Sequence, residues 1–579
     1  MPPHIISRNR RLASAFGRRR GALLLVAPAL VAGFVLLPIL ALGIIAARGS
    51  GDLWPHLIAY VLPDAVSQTL ILLAGVGLLS FFVAVPCAFL VATCEFPGRR
   101  LLDWALLLPL ALPGYIVAYS YLDLLHPLGP VQGVLRFALG IASPRDFRLP
   151  DVRSVGGCIF VLSCVLYPYV YLSARASFLM QSAAALDVAR SLGASRTRAA
   201  LRIALPMARP AIVAGLTLVL LEVLGDIGAS EFLGVRTLTV SIYATWVNRS
   251  NLPGAAQIAL VMLALVLVLV AAERLARRRA RYTTAAAGRP PARVCLRGGK
   301  AAGATLLCAL PVLLGFVAPV WHLATAAAQR LEFSGLSPAL LLEARNSALL
   351  AGGGTLVAIA LGLVVTVGQR LSARPAASVL ARIASLGYAV PGTVLAIGLL
   401  TPLAGFDNWV DAAARETFGV STGLLISGSG GALVIAYAIR FLAIPIGGLE
   451  AGFTRMSPHL DMAARSLGAT GASAVRRIHL PLLRPALATA ALMVFVDGMK
   501  ELPATLLLRP LGVETLATHI YGEAARGTYE DGALAALLVV LVGLVPVVIL
   551  ARISGAAFGA TQSSSARRGE AQGAPTAVG

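Results

Sequence analysis

Two stretches of this chain, 275 residues apart, share one pattern: GASRTRAALRIALPMARP at 193–210 and GATGASAVRRIHLPLLRP at 468–485. Both read Gly-x9-Ile-x-Leu-Pro-x-x-Arg-Pro. Each is rich in arginine and lies between long apolar segments. A pattern repeated at a fixed spacing indicates that the chain arose by duplication and that each half has kept one polar element.

The composition predicts a membrane protein built from helices. Hydrophobic residues make up 58% of the 579 residues, charged residues only 13%, and the mean hydropathy is +0.83. Soluble proteins carry about 25% charged residues. A bilayer admits only helices or closed barrels, and barrel strands would be short and alternating. Twelve apolar runs of spanning length begin near Ala22, Ser67, Leu101, Val155, Ala211, Ala255, Ala304, Ser347, Ile383, Gly431, Ala486 and Gly532.

The placement of charge predicts the topology. The chain has 48 basic and 26 acidic residues, a formal charge of +22. Basic clusters precede the first span and follow every even-numbered span, although the loop at 124–154 also holds four arginines. This bias places both termini of a multi-pass membrane protein in the cytoplasm, with its spans in contact with lipid. Nucleic-acid binding does not fit such a distribution.

Further matches define two parallel repeats of six spans. Pro113-Gly114 and Pro391-Gly392 are 278 residues apart, and Ser67-Gln68-Thr69 resembles Arg345-Asn346-Ser347 at the same offset. We expect an offset of 275 for the repeated pattern and for everything after it. An even number of spans makes the repeats parallel. The predicted units are a first domain (1–273), a basic linker (274–303), a second domain (304–555) and a polar tail (556–579).

Each copy of the pattern predicts a short helix, a glycine turn and a second helix that ends at proline. Gly193 and Gly468 suit the left-handed position after a helix, and Thr470 suits an N-cap. Proline lacks the N–H that a continuing helix needs. One copy alone would fit an ordinary juxtamembrane hairpin. Two copies favour a docking element on the cytoplasmic side.

The pattern resembles the coupling loop, or EAA motif, of ATP-binding-cassette (ABC) importer permeases, whose signature is Glu-Ala-Ala-x3-Gly-x9-Ile-x-Leu-Pro. Two coupling loops follow from it, at about 184–210 and 459–485. The candidate coupling residues are Asp187, Ala189, Gly193, Ile203, Leu205, Pro206, Ala463, Ala464, Gly468, Ile478, Leu480 and Pro481. The signature glutamate is replaced by Asp187 in the first copy and by Met462 in the second.

A second resemblance suggests the cargo. Residues 500–510, followed by Thr515-Leu516-Ala517, resemble the second half of fused ferric-iron importer permeases, and residues 222–246 resemble the first. The family implies a type I ABC importer permease fold, a periplasmic binding protein and two copies of a separate ATPase. Thiamine, polyamines and organophosphonates remain alternative cargoes. The sequence holds no Gly-x4-Gly-Lys-Ser/Thr phosphate loop. We therefore expect a transport subunit that is not an enzyme and binds no cofactor, with ATP used by the partner.

Charged residues recur near the ends of the fifth and eleventh spans, where an ionised group in the membrane usually faces a pathway or a partner. The pathway candidates are Glu222, Asp226, Glu231, Asp497, Lys500, Glu501 and Thr505. An internal ion pair between Asp497 and Lys500 is the structural alternative. An ion-coupled secondary transporter using the same carboxylates is the alternative function. Cysteine and histidine spacing predicts no metal site.

Overall fold

The chain is almost entirely helical in a computed structural model that describes residues 3–278 and 293–549, apart from 142, 144, 182–190, 192–194, 373 and 529. Within those residues the strands are Cys94–Glu95 and Val294–Cys295, which form one short parallel pair. The predicted all-α polytopic fold is confirmed.

Six segments of each half correspond to the predicted spans. The helices of the first half are Pro3–Ala47, Leu53–Thr93, Arg99–Ala111, Gly114–Leu124, Pro130–Leu139, Val155–Met180, Arg196–Ala199, Ala200–Gly225, Gly228–Phe232, Leu238–Val247 and Leu252–Arg278. Those of the second half are Gly299–Phe333, Pro338–Ser372, Pro375–Ala384, Gly392–Phe418, Gly431–Phe441, Ala443–Thr454, Pro458–Ser466, Gly471–Met499, Pro503–Leu508, Leu516–Arg526 and Ala533–Ile549.

In the described part of the chain, nine helices are long and apolar enough to cross a membrane, and two bent pairs bring the number to 11. The third span bends by 93° before Gly114 and the tenth by 44° before Ala443. The apolar helix Ala533–Ile549 corresponds to the predicted twelfth span. In chain order, the first to twelfth spans are Leu24–Ala47, Leu53–Thr93, Arg99–Ala111 with Gly114–Leu124, Val155–Met180, Ala200–Gly225, Leu252–Ala276, Gly299–Phe333, Pro338–Ser372, Gly392–Phe418, Gly431–Phe441 with Ala443–Thr454, Gly471–Met499 and Ala533–Ile549. We call the end of the bundle that carries Arg99, Arg370 and the helix Pro458–Ser466 the basic side.

Equivalent hydrogen bonds relate the two halves. Leu238 N–H donates to Thr69 Oγ1 at 3.0 Å, and Leu516 N–H donates to Ser347 Oγ at 2.9 Å. Both members of this pair are 278 residues apart. The expectation that offset 275 continues to the end of the chain is therefore wrong. Three additional residues between Pro503–Leu508 and Leu516–Arg526 restore the earlier offset.

The first span of each half packs on the other half. The first span contacts the eighth and ninth spans as well as the sixth. The seventh span contacts the second, third and fourth, and Tyr121 O–H donates to the Leu314 carbonyl oxygen at 2.7 Å. On the side opposite the basic side, His322 Nε2 lies 3.0 Å from Asp123 Oδ2. One buried apolar cluster consequently runs through both halves.

Candidate functional site: a charged cavity and the coupling loops

A cavity of about 150 Å³ lies where both halves interrupt their spans. Pro113 and Pro391 each precede the first residue of a new helix with extended backbone, at ψ 147° and 145°. Both predicted Pro-Gly pairs are therefore helix breaks, and Pro113, Gly114 and Pro391 line the cavity. A side chain at Gly392 would place Cβ 2.6 Å from Arg440 Nη1 and 2.7 Å from Glu501 Oε1, so either group would have to move to admit it.

Five of the seven pathway candidates line this cavity: Glu222, Asp226, Asp497, Lys500 and Glu501. The halves therefore bring their equivalent charged segments to one place. In the first half, Gly225 and the loop after it form part of the cavity wall. In the second half, Leu502 and Pro503 form the equivalent part.

Asp226 and Glu501 occupy equivalent positions in the two halves, and each accepts hydrogen bonds from the short helix that follows it. Asp226 Oδ2 accepts the Ser230 N–H at 2.9 Å and the Ser230 hydroxyl at 3.1 Å. Glu501 accepts the Ala504 N–H at 3.0 Å, the Thr505 N–H at 3.1 Å and the Thr505 hydroxyl at 2.9 Å. Each carboxylate thus caps the short helix that follows it, because the first N–H groups of a helix have no partner within the helix.

The other two carboxylates are bonded to side chains. Tyr388 O–H donates to Glu222 Oε1 at 3.2 Å, which joins the second half to the first. Lys500 Nζ lies 3.0 Å from Asp497 Oδ1, so the predicted internal ion pair is present. The pair stands at the cavity wall, and the pathway role of these residues stays a prediction.

Two candidates lie away from the cavity wall. Thr505 is fully buried behind Glu501, and its hydroxyl is 2.6 Å from the Tyr437 hydroxyl. Glu231 accepts a hydrogen bond from Tyr521 at 2.6 Å and so links the halves on the side of the cavity opposite the basic side.

Sequence reasoning missed Arg440 and Tyr388, which also line the cavity. Arg440 Nη1 is buried and has no hydrogen-bond partner among the described residues. The signal for Arg440 was available, because it is an arginine near the end of the otherwise apolar helix Gly431–Phe441. Tyr388 lies in a 3-10 turn between two helices, and its position gave no comparable signal.

The cavity therefore combines four carboxylates with two cationic side chains. Carboxylate oxygens are the ligands that hard cations prefer. Among the described residues, no group of three or more His, Cys, Asp and Glu side chains is placed to hold a metal ion.

The second coupling loop has the predicted local structure. Gly468 follows the helix Pro458–Ser466 with φ +78°, a conformation that a side chain would strain. Thr470 Oγ1 accepts the Ser473 N–H at 3.2 Å and caps the next helix. Met462 and Leu467 are 54% and 86% exposed, so this loop presents apolar side chains on the basic side.

Proline does not end the second helix of either loop, so that expectation is wrong. Helices Ala200–Gly225 and Gly471–Met499 continue through Pro206 and Pro481 into the fifth and eleventh spans. A turn of π-helix, at Ala200–Ala204 or Val475–His479, comes immediately before. Its i→i+5 bonding accommodates a residue without an N–H.

Of the remaining coupling candidates, Ile203, Leu205, Ala463, Ala464, Ile478 and Leu480 lie in or beside these helices, and Ala464 is buried. Asp187, Ala189 and Gly193 lie outside the described residues. The carboxylate beside the second loop's Met462 is Asp461, which bonds both Arg370 and His479. Burial opposes ionisation of Asp461, but the His479 hydrogen bond and the Arg370 charge outweigh it and hold the pKa of Asp461 below its usual value.

Comparison with known proteins supports this architecture. The family profile described as binding-protein-dependent transport system inner membrane component matches residues 78–282, which run from the second span past the sixth. The matched part of the chain belongs to the permease family of binding-protein-dependent importers. These permeases are the membrane subunits of ABC importers, and the family implies ATPase and substrate-binding partners.

Three relatives illustrate the range of this permease family. The chain is 25% identical to the Fe(3+)-transport system permease protein FbpB 2 of Haemophilus influenzae over 84% of this chain and 89% of the relative. It is 26% identical to the probable ABC transporter permease protein y4fN of Sinorhizobium fredii over 83% and 86%. It is 29% identical to the molybdenum transport system permease protein ModB of Escherichia coli K12 over 38% of this chain and 96% of ModB.

Proposed function

We propose that this permease forms the translocation pathway of an importer for ferric iron. The observation that carries the proposal is the cavity at which Glu222 and Asp226 of one half meet Asp497 and Glu501 of the other. Their oxygen atoms suit a hard cation. The relative named as an Fe(3+) permease, which aligns over most of both chains, supports the same cargo.

The partners follow from the coupling loops. Each loop offers one docking element, so we propose two copies of a separate ATPase, one for each half. The basic side would then face the cytoplasm together with both termini. A periplasmic binding protein would deliver cargo to the opposite side, where Glu231 and Tyr521 join the halves. ATP would be used by the ATPase alone.

An oxyanion is the second candidate cargo, favoured by one observation. Arg440 presents a buried nitrogen without a partner beside a cavity that also contains Lys500. Buried charges are normally paired, and a guanidinium suits the planar or tetrahedral oxygens of an anion. The relative named as a molybdenum permease matches one half of this chain.

Uptake by a strain that lacks the gene tests the cargo. Labelled ferric iron, molybdate, thiamine, putrescine and an organophosphonate would be measured in parallel under iron limitation. We expect loss of ferric uptake alone. The wild-type gene should restore it, whereas a Glu222→Gln plus Asp497→Asn form should not. Asp411→Asn is the matched control, because Asp411 bonds the loop at Thr422 and Gly423 far from the cavity. Normal ferric uptake with loss of another cargo would reject iron.

Reconstitution distinguishes the importer from an ion-coupled transporter. Liposomes containing the permease, with or without its ATPase, would be loaded with ATP and supplied with binding protein and cargo. The proposal requires uptake to depend on both ATP and the ATPase. Uptake by the permease alone, driven by an ion gradient, would reject it.

A further inference from the structure

A charged cluster ties the second coupling loop to the bundle. Asp461 lies on the loop helix Pro458–Ser466. Its Oδ1 is 2.6 Å from His479 Nε2, and its Oδ2 is 3.0 Å from Arg370 Nε and 2.8 Å from Arg370 Nη2. Arg370 ends the eighth span, and His479 begins the eleventh. One carboxylate therefore joins three separate helices.

The cluster is packed rather than loosely solvated. The His479 side chain is nearly fully buried and stands edge-on to the Phe453 ring, with centroids 5.4 Å apart. The Arg370 guanidinium lies 5.8 Å from the centroid of the same ring. Phe453 is on the last turns of the tenth span. The pair between Arg370 and Asp461 is partly exposed and makes two hydrogen bonds, and the buried His479 adds a third, so the link fixes the relative positions of the three helices.

The first half lacks these charged residues at the equivalent positions. At the corresponding offsets, Arg370 is replaced by Ala92, His479 by Ala204 and Asp461 by Leu186. Ala92 and Ala204 are both buried. Phe178 occupies the position in the first half that is equivalent to Phe453, and it packs edge-on against Phe89. Duplication thus preserved the aromatic residue, and only the second half has the charges.

The link also leads to the cavity. Gly471–Met499 is one continuous helix that carries His479 near its start and Asp497 near its end. Eighteen residues of helix span about 27 Å. A displacement of the loop helix that moves His479 therefore moves the wall of the cavity as well.

We propose that Asp461 is a positioning residue that passes movement of the second coupling loop to the eighth and eleventh spans, so that the two ATPase contacts are unequal. This rests on the proposed importer function. The residues at the equivalent positions of the first half, Leu186, Ala92 and Ala204, cannot form the same charged link. The ATPase on the second loop therefore drives the cavity more directly than its partner does.

The test uses the complete transporter, with the permease, its ATPase and its binding protein in liposomes. Asp461→Asn keeps the shape of the side chain and removes its charge. We expect the complex to assemble and hydrolyse ATP, with cargo delivered per ATP reduced about tenfold, as for a typical coupling between two sites. Asp461→Glu should recover part of that ratio. A residue that served folding alone would lower the amount of complex and leave the ratio unchanged.

A matched control exists in the first half. Asp103 makes a two-bonded pair with Arg175 on the basic side, but neither residue lies on the coupling loop. Asp103→Asn should lower the amount of complex and leave cargo per ATP unchanged. An equal loss of ratio in Asp103→Asn and Asp461→Asn would overturn the proposal.

A second variant tests the proposal if the complex with Asp461→Asn does not assemble. His479→Gln leaves the pair between Arg370 and Asp461 intact and cuts only the connection to the eleventh span. We expect it to assemble and to show the reduced ratio. Loss of assembly in both variants, or a normal ratio in His479→Gln, would overturn the proposal. If wild-type transport needs no ATP, it is the importer function that fails. If another cargo is transported, the ratio is measured with that cargo.

Discussion

The two halves share the carboxylates that bond to the backbone of their short helices, but they differ in the cationic side chains that they place at the cavity. Asp226 and Glu501 cap equivalent helices with equivalent hydrogen bonds. Val165 in the first half, by contrast, stands where the second half has Arg440, and both line the cavity. Lys500 likewise replaces the glycine at 225. The duplication therefore retained the elements that shape the pathway, while the second half alone acquired its cationic residues.

The largest expected effect compares the two coupling loops. Gly468→Asp places a side chain on left-handed backbone and an acid in an arginine-rich docking element. We expect the Gly193→Asp plus Gly468→Asp double variant to lose transport while remaining in the membrane, as measured by uptake and by co-purification of the ATPase. The single Gly468→Asp variant should be impaired more than Gly193→Asp, because the second loop carries the Asp461 link and the first half has uncharged residues at the equivalent positions.

The control for this pair is Gly512→Asp. Gly512 has φ +80° in a turn on the side opposite the basic side, and a Cβ added there would meet no other atom within 4 Å. It should strain its own turn similarly and leave ATPase binding intact. Equal impairment by Gly193→Asp and Gly468→Asp would remove the functional difference between the loops.

The next effect concerns Arg440, the cavity cation that Val165 replaces in the first half. If the cargo is an oxyanion, Arg440→Gln should lower its transport about tenfold or more, since a bond to a charged group contributes about 1.5–3 kcal/mol. Ferric transport should be unchanged or faster, because removal of a positive charge favours a cation. Arg440→Lys, which keeps the charge, is the control.

A smaller effect tests the equivalence of the two caps. Asp226→Ala and Glu501→Ala should each lower stability by about 1 kcal/mol, the usual contribution of an N-cap. Thermal unfolding in detergent would measure both. Similar losses would support the shared role. A clearly larger loss for Glu501→Ala would show that its neighbour Arg440 depends on it.

The smallest effect is a pH dependence confined to the second half. His519 Nδ1 lies 3.1 Å from Glu343 Oε1, and that bond raises the pKa of His519 above its usual 6.5. The first half has Ser241 and Ala65 at these positions. The stabilisation should be complete below about pH 6.5 and lost as the pH rises through the raised pKa. We expect His519→Gln to lower Tm by about 2 °C at pH 6 and to have little effect at pH 9. Equal shifts at both values would contradict the assignment.

Much of this architecture is predictable from local sequence. Apolar runs indicate the spans, because every backbone group in the bilayer must bond within its own helix. Gly468 and Thr470 define their turn through their own chemistry. Five of the six charged residues of the cavity were identified because ionised groups near the ends of apolar spans are costly.

The rest depended on contacts between distant segments. Tyr388 belongs to the cavity only because the ninth span approaches the fifth, and Glu231 lies outside it because its short helix turns toward Tyr521. The helices continue through Pro206 and Pro481 immediately after π turns, and residue propensities give no signal for that path.

The exchange of first spans between the halves has a consequence for how the protein is made. Pro38 in the first span packs against Gly398 in the ninth, about 360 residues later in the chain. At about 5–20 residues per second, the first span waits roughly 20 to 70 seconds for that partner to be synthesised. Joining both halves in one polypeptide keeps the late partner tethered nearby, so the meeting is intramolecular. Synthesis of the first half alone should therefore leave its opening helix without half of its packing surface and open to degradation.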